Sequence, residues 1–296
     1  MKKFIVCFLT TVLMLTALTA CQTAASTNSA DRSSAVSEQS AASEPESRQT
    51  NTGDNASKAE SEAQAESETH GNYSDEMKIT HDTDISPEDG ADSVERDGDH
   101  VDSPYFSRLD FYNIESTDSL TILPRFKTLQ QTSEWSCGVT SALMVMEYYG
   151  MLGDYDEHSL SLLRPQQDEP GGTSLKEAIA IFDAAGGFNL TTTLNFEGDF
   201  GLDSIQEFLS SGTPVMVCWN DWGGHWQVII GYDTMGTETT QDDVLIVADP
   251  YDTTDHNQDG YGIYGAERFI YNFTTYNFFS EEDGNDKLFI AVKPAE

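Results

Sequence analysis

Cysteine and basic residues are both scarce in this sequence of 296 residues. Four cysteines are present, and 15 Lys and Arg stand against 51 Asp and Glu, so the net charge at pH 7 is −36. This charge excludes a nucleic-acid binder and a protein held to anionic lipid by a basic patch. Four cysteines are too few for a disulfide framework, and the absence of a CxxC pattern argues against a zinc site built from thiolates.

The apolar run near the N-terminus is too short for a comfortable membrane span. Lys2 and Lys3 precede this run, FIVCFLTTVLML, as in a secretory signal. The letters LTAC at residues 18–21 resemble a bacterial lipobox, which implies that residues 1–20 are a signal peptide and that Cys21 is lipidated. The alternative is an ordinary secretory signal in which Cys21 is incidental. We expect an extracytoplasmic protein anchored to the bacterial cell membrane by lipid.

Large apolar residues are almost absent between Gln22 and about Val101. This stretch consists mainly of Ser, Ala, Glu, Asp, Asn, Thr and Gln, so it cannot bury enough surface to offset its ordering entropy. We therefore expect residues 21–103 to be a disordered acidic tether that acts as a spacer. Residues 104–296 are long enough for one folded domain with one core.

Within this domain, helical patterns come first and strand patterns follow. A short strand at SLTILPRF precedes helices predicted from Gly138 to Tyr149, in TSLKEAIAIFDAAGG and in LDSIQEFLSSG. Ser174 and Glu177 have the spacing of a capping box. The β-rich runs PVMVCW, HWQVIIGYD, DVLIVADP and KLFIAVKP come next. This order predicts an α+β domain in which N-terminal helices pack on a mainly antiparallel sheet.

Cys137 lies at the start of the first predicted helix, in the segment EWSCGVTSALMVMEYYG. A helix N-terminus carries positive partial charge and unpaired N–H groups, and both stabilise the thiolate that a nucleophilic cysteine needs. A buried structural cysteine and one half of a bridge to Cys218 are the alternatives. Cys218 itself lies in a β-rich run, and we expect it to be a buried hydrophobic residue.

Two further residues suit acyl transfer. Gln131, six residues before Cys137, can place a side-chain N–H beside the main-chain N–H of Cys137 to form an oxyanion hole, and Gln130 is its rival. His225 opens an apolar strand after two glycines, where a substrate or another backbone can come close. The pair Cys137 and His225 therefore predicts nucleophilic catalysis.

An acid that orients the histidine is the last component of this chemistry. Asp249 follows the apolar run VLIVA and can accept a hydrogen bond from the imidazole of His225. Asp233 and Asp252 are rivals for the role. We prefer Asp249 because its apolar run is predicted to pair beside the strand that begins at His225.

Three separated motifs resemble one family, the papain-like cysteine peptidases of the bacteriocin-processing, double-glycine type. They are Gln-x5-Cys-Gly before a helix, Gly-Gly-His-x-x-Val at a strand start, and Asp-Pro after the next strand. The resemblance covers residues 123–292. It implies a papain-like fold with Cys137 as nucleophile, His225 as general base and acid, Asp249 as the orienting acid and Gln131 in the oxyanion hole. It also implies a peptide or protein substrate and no required cofactor, and we expect a monomer.

Three functions remain open at this point. The sequence contains no Gly-x4-Gly-Lys-Ser/Thr phosphate loop, so the family's role in trimming a leader during export is not carried over. The first function is a cysteine peptidase that hydrolyses peptide or isopeptide bonds, and the second is a peptidoglycan cross-link endopeptidase. The third is a non-catalytic papain-like binding module. The first is favoured, because a pure binder has no use for the combination of Cys, His, Asp and Gln.

An acidic loop follows the predicted active-site acid. Asp255, Asn257 and Asp259 match the opening of a calcium-binding loop, but the expected glutamate at its end is missing. The alternative is an acidic loop stabilised by Asx-turns. A structural calcium ion is therefore the one cofactor that the sequence suggests.

Tryptophans cluster around the predicted catalytic residues. Trp135 flanks Cys137, and Trp222 and Trp226 flank His225. These side chains form either the aromatic wall of a substrate cleft or packing in the core.

Overall fold

The structure, a computed structural model, describes residues 76–80, 83–93, 109–165, 172–253, 257–275, 279 and 286–296. The predicted signal peptide and Cys21 lie outside the described residues. Among the residues that are described, no helix is long and apolar enough to span a membrane.

The described residues contain five α-helices. Their bounds are α1 Cys137–Tyr148, α2 Glu157–Ser161, α3 Leu175–Ala185, α4 Leu202–Ser210 and α5 Ala266–Asn272. Helices α1, α3 and α4 lie where the sequence patterns predict them. The capping box of α3 is present, since the main-chain N–H of Ser174 donates to the Glu177 carboxylate at 2.9 Å and the Ser174 hydroxyl accepts from the N–H of Glu177 at 3.3 Å. Helices α2 and α5 were not predicted, because they are too short to show a periodic apolar face.

In the part of the chain that the structure describes, seven strands form one sheet. Their bounds are β1 Leu120–Ile122, β2 Phe188–Thr192, β3 Val215–Trp219, β4 His225–Asp233, β5 Val244–Ala248, β6 Tyr261–Gly265 and β7 Leu288–Pro294. The order is β2-β7-β3-β4-β5-β6, β1 pairs with the far end of β4, and every pair is antiparallel. Helix α1 packs on the central strand β4, where the Ser141 hydroxyl donates to the main-chain oxygen of Trp226 at 3.2 Å. The α+β, papain-like fold is confirmed.

The two central strands set the conditions for the site. All five residues of β3 and the first eight of β4 are buried. Polar side chains in these strands must therefore find hydrogen-bond partners inside the protein. Among these side chains, His225 and Gln227 lie on the same face of β4.

The folded part of the chain begins earlier than the sequence indicated. Residues 76–80 and 83–93 fall in the stretch predicted to be a disordered tether, yet Met77, Ile79 and Ala91 are buried. The Ile79 N–H donates to Thr128 O, and the Thr128 N–H donates to Met77 O, both at 2.9 Å. The prediction of disorder is wrong for these residues. Their few apolar side chains suffice because they add to an existing core and need not form one themselves.

Candidate active site

Cys137 is the first residue of α1, and its exposed fraction is 6%. The residue before it, Ser136, makes no side-chain capping bond to the helix, and its hydroxyl instead accepts from the Ser133 hydroxyl at 2.8 Å and hydrogen-bonds Glu157. The first turn of α1 also contains no acidic residue. The N-terminal N–H groups of α1 are therefore left to stabilise negative charge at the Cys137 sulfur or on an oxygen beside it.

Gly138 permits the close packing that seats this helix start. A Cβ atom at residue 138 would lie 2.6 Å from the Cβ of Thr173. Any residue other than glycine would therefore clash with Thr173 unless the backbone moved. Thr173 is held in turn by Trp226, whose Nε1 donates to Thr173 O at 2.6 Å. The Cys-Gly pair thus places α1 directly against the segment before α3 and against β4.

His225 is the first residue of β4, and its imidazole lies between an acid and a thiol. Its Nε2 is 2.7 Å from Asp249 Oδ1, and its side chain also hydrogen-bonds Cys137. Because Nε2 faces Asp249, Nδ1 is the nitrogen that faces the thiol. Burial lowers the pKa of His225, but the charge and hydrogen bond of Asp249, together with Cys137, raise it by more, to about 10. The ring is therefore an imidazolium at neutral pH.

Asp249 directly follows β5, and three donors fix its carboxylate. Oδ1 accepts from His225 Nε2 and, at 2.8 Å, from the main-chain N–H of Tyr251, while Oδ2 accepts from Gln227 Nε2 at 2.6 Å. Gln227 is held in turn by Trp219, whose Nε1 donates to Gln227 Oε1 at 2.8 Å. Sequence analysis missed Gln227. The available signal was its position two residues after His225, on the same face of β4.

The rival acids lie elsewhere. Asp233, at the far end of β4, accepts from the main-chain N–H of Met235 at 2.8 Å. Asp252 accepts from the main-chain N–H of Gly260 at 3.0 Å. The pairing of β4 with β5, with Val228 opposite Ala248, is the reason that Asp249 and not these acids meets His225.

Gln131 lies beside the start of α1 with an exposed fraction of 1%. One hydrogen of its side-chain amide donates to Ser133 O at 2.7 Å, which leaves the second for another acceptor. The side chain of the rival, Gln130, donates to the main-chain oxygen of Asp249 at 3.2 Å. Gln130 thus supports the main chain at the acid, whereas Gln131 lies in the loop that leads into Cys137.

The model of the Peptidase_C39 like family matches residues 124–278. The chain belongs to this family. A similar solved structure is the crystal structure of a double glycine motif protease from an AMS/PCAT transporter in complex with the leader peptide. The identity is 18%, the match covers 60% of this chain and 96% of that chain, and the TM-score is 0.35. No curated protein matches this chain.

In this member of the C39-like family, a buried carboxylate holds the loop before the helix-start cysteine. Glu157, in α2, is 0% exposed. It accepts from the main-chain N–H of Thr132 at 3.1 Å, from the Thr132 hydroxyl at 2.7 Å and from the Thr140 hydroxyl at 2.9 Å. Burial raises the pKa of Glu157, and hydrogen bonds from Ser136, Thr132 and Thr140 oppose that rise. No local sequence pattern could have revealed this contact, because its partners lie 17 and 25 residues away.

We expect Glu157→Gln to lower the free energy of unfolding by about 1–3 kcal/mol. The new amide group would turn N–H donors toward the donors of Thr132 and leave buried hydrogen bonds unmade. Urea denaturation measures the change. Glu197→Gln, at an exposed position, is the matched control and should shift the unfolding midpoint little. Equal stability of the two variants would contradict the role assigned to Glu157.

A buried cation, Arg164, packs on the tryptophan that lies two residues before Cys137. Arg164 is 2% exposed, and its guanidinium carbon lies 4.3 Å from the ring centroid of Trp135. Burial lowers the pKa of Arg164, whereas the charges of Glu177 and Cys137 raise it. The guanidinium lies over the indole of Trp135, two residues before Cys137, and helps to fix its position.

The other two tryptophans have different positions. Trp222 is 61% exposed, and its ring centroid lies 5.6 Å from that of Tyr251, which in turn packs edge-on against His225. Trp226 is only 1% exposed. The structure places Trp226 in the core and not on the wall of a cleft, because alternation along β4 turns it to the face opposite His225.

The predicted calcium loop is described only in part. Asp255 lies outside the described residues, and Asn257 and Asp259 are buried. Asp259 Oδ1 accepts from the main-chain N–H of Tyr261 at 3.0 Å, as expected for an Asx-turn. Within the described part of the chain, no group of three or more His, Cys, Asp or Glu residues is arranged to hold a metal ion. Calcium binding stays a prediction.

Proposed function

We propose that this protein is an extracytoplasmic, membrane-anchored cysteine peptidase that hydrolyses peptide or isopeptide bonds. Cys137 is the nucleophile, His225 the general base and acid, Asp249 the orienting acid and Gln131 an oxyanion donor. The observation that carries the proposal is the imidazole of His225, bonded to Asp249 at 2.7 Å on one side and to Cys137 on the other. Family membership supports peptidase chemistry independently.

The reaction begins with a thiolate–imidazolium pair. The Cys137 thiolate attacks the carbonyl carbon of the substrate, and a C–S bond forms as the carbonyl oxygen takes the negative charge. The N–H of Cys137 and the second amide hydrogen of Gln131 hold this oxyanion. His225 then donates its proton to the leaving nitrogen as the C–N bond breaks, and an acyl-enzyme remains.

The second half of the reaction uses His225 as a base. The neutral imidazole takes a proton from water, which attacks the acyl carbon, and the C–S bond breaks to release the carboxylic acid. Asp249 keeps the ring oriented in both halves, since Gln227 and the Tyr251 N–H prevent its carboxylate from rotating. The raised pKa of His225 keeps the ring charged in the resting enzyme.

A substrate panel tests the proposal. The purified chain is incubated with a fluorogenic peptide library and, in parallel, with purified peptidoglycan. Release of peptides from the library supports a peptidase of general peptides, whereas release of cross-link fragments alone identifies a peptidoglycan endopeptidase. Absence of cleavage of every substrate, with Cys137 unreactive toward iodoacetamide, would favour the binding module.

Anchoring is tested separately. We expect Cys21→Ala to release the protein from the membrane fraction into the medium, because the lipid acceptor is lost while the secretory signal remains. Immunoblots of the cell-membrane and medium fractions measure the distribution. Ser26→Ala, a few residues later, is the control and should stay with the membrane. Continued membrane attachment of Cys21→Ala would contradict lipidation at this residue.

A further inference from the structure

A segment that precedes the family match contacts the loop that leads into Cys137. The family match begins at residue 124, and this segment, residues 83–93, is called the strap here. The strap runs along residues 131–134, which end three residues before Cys137. Its residue Ala91 is 1% exposed.

The strap fixes the main chain of Gln131 from one side. Gln131 O accepts from the N–H of Ala91 at 2.9 Å and from the N–H of Asp92 at 3.4 Å. On the other side, the Gln131 N–H donates to Pro250 O at 2.8 Å. Pro250 follows Asp249 in sequence, so the backbone of Gln131 is held between the strap and the loop of the orienting acid.

The strap also holds the two ends of the short segment 132–134. Thr132 O accepts from the N–H of Ser86 at 3.0 Å, and the Thr132 hydroxyl accepts from the N–H of Ile85 at 2.9 Å. Glu134 takes part in two reciprocal bonds: its carboxylate accepts from the Gly90 N–H at 3.3 Å, and its own N–H donates to Asp89 Oδ1 at 3.2 Å. Each residue held here lies within six positions of the nucleophile.

The contact between strap and loop requires glycine at residue 90. Its φ of +109° is unfavourable for other residues, and a Cβ would lie 2.6 Å from Thr132 C and 2.7 Å from Ser133 N. Both of these atoms belong to the main chain, which cannot move aside without moving the loop. A methyl group at residue 90 therefore separates the strap from the loop that carries Gln131.

We propose that the strap is a positioning element of the active site: it holds Gln131 and residues 132–134 so that the oxyanion donors face the substrate carbonyl. The inference rests on the proposed function. Residues of the acidic tether segment thereby contribute to catalysis without touching the substrate. The strap acts on the oxyanion side, whereas the thiolate of Cys137 depends on His225 and on α1.

Two reagents distinguish a loss of oxyanion stabilisation from a loss of thiolate reactivity. A peptide aldehyde forms a C–S bond with Cys137, and the negative charge that develops on its oxygen needs the oxyanion donors before a proton arrives from His225. Iodoacetamide forms a C–S bond as iodide leaves, and no oxyanion develops. Loss of positioning therefore weakens the aldehyde and leaves alkylation unchanged.

Gly90→Ala in the full chain tests the proposal, with Gly198→Ala as matched control. Gly198 has a similar φ of +115°, but no atom lies within 4 Å of its added Cβ. We expect Gly90→Ala to lower kcat/KM for a cleaved peptide by about 10- to 100-fold, mainly in kcat, and to weaken the aldehyde in parallel. The alkylation rate of Cys137 should stay within about twofold of wild type, and Gly198→Ala should keep its activity.

A second pair of variants, with smaller structural changes, tests the proposal if Gly90→Ala does not fold. Asp89→Ala removes the acceptor for the Glu134 N–H, and Glu88→Ala, at an exposed neighbour, removes the same charge. We expect a loss of about three- to tenfold in kcat for Asp89→Ala and no loss for Glu88→Ala.

The outcomes that overturn the inference differ from those that overturn the proposed function. Wild-type activity with no difference between each variant and its control would refute the positioning role alone. An equal fall in activity and in Cys137 alkylation would assign the strap to general stability and also refute it. A wild-type protein that cleaves no peptide would refute the proposed function, and the positioning role with it.

Discussion

Cys137→Ala is expected to reduce kcat/KM for any cleaved substrate by about 10⁴-fold or more, to the level of the buffer. Without the sulfur no acyl-enzyme forms, and the oxyanion donors alone cannot replace the covalent step. The substitution removes one atom at a position that is only 6% exposed, at the start of a twelve-residue helix, so the fold should persist. Activity assays and far-UV circular dichroism measure the two halves of this expectation.

Cys218→Ala is the matched control for this experiment. Cys218 is 0% exposed in β3, and burial raises the pKa of its thiol well above the usual value. It therefore stays a neutral thiol and should be dispensable for turnover. Both cysteines are free in the structure. Retained activity in Cys137→Ala, or loss of activity in Cys218→Ala alone, would contradict the assignment of the nucleophile.

His225→Ala is expected to lower kcat/KM by about 10³-fold or more and to slow the alkylation of Cys137 at pH 6. The imidazolium neutralises the thiolate and supplies the proton for the leaving nitrogen, and both are lost. Alkylation rates of wild type and variant at pH 6 measure this effect, and His158→Ala, at an exposed position in α2, is the control.

His225→Ala should also change how the free energy of unfolding depends on pH. Because the pKa of His225 is raised from 6.5 in the unfolded chain to about 10 in the folded protein, the protonated ring stabilises the folded state fully below pH 6.5. That contribution is lost as pH rises through about 10. Wild type should therefore lose more stability than His225→Ala between pH 7 and pH 10.5. An equal loss, or an unchanged rate of Cys137 alkylation at pH 6, would refute the ion pair.

Local patterns predicted much of the helical part. Helix α3 was predictable because its capping box joins Ser174 to Glu177 within one turn. The start of α1 near Cys137 was predictable because a periodic apolar run follows directly. Strand β2 was missed because FNLTT contains only two large apolar side chains, and β6 was missed because two glycines interrupt YGIYG.

The order of the motifs along the chain also allowed the candidate site residues to be predicted. Strand pairing between β4 and β5 follows from their succession in the chain, and it brings His225 and Asp249 to the same end of the sheet. The roles of Cys137, His225, Asp249 and Gln131 remain predictions until the variants are measured. Trp226 lies in the core, which is one of the two alternatives that the sequence offered, because adjacent residues in a strand face opposite sides.

The sequence by itself determined the α+β class, the positions of α1, α3 and α4 and the identity of the candidate nucleophile and base, because these depend on periodicity, capping and residue type over short spans. Only the tertiary structure decided that Gln227 fixes Asp249, that Glu157 holds the loop before Cys137 and that residues 83–93 pack on residues 131–134. Each of these contacts joins segments that are distant in the chain or depends on the exact strand register. Composition predicted disorder for the strap because it counts a segment's own apolar residues, whereas burial depends on the surface that the rest of the fold provides.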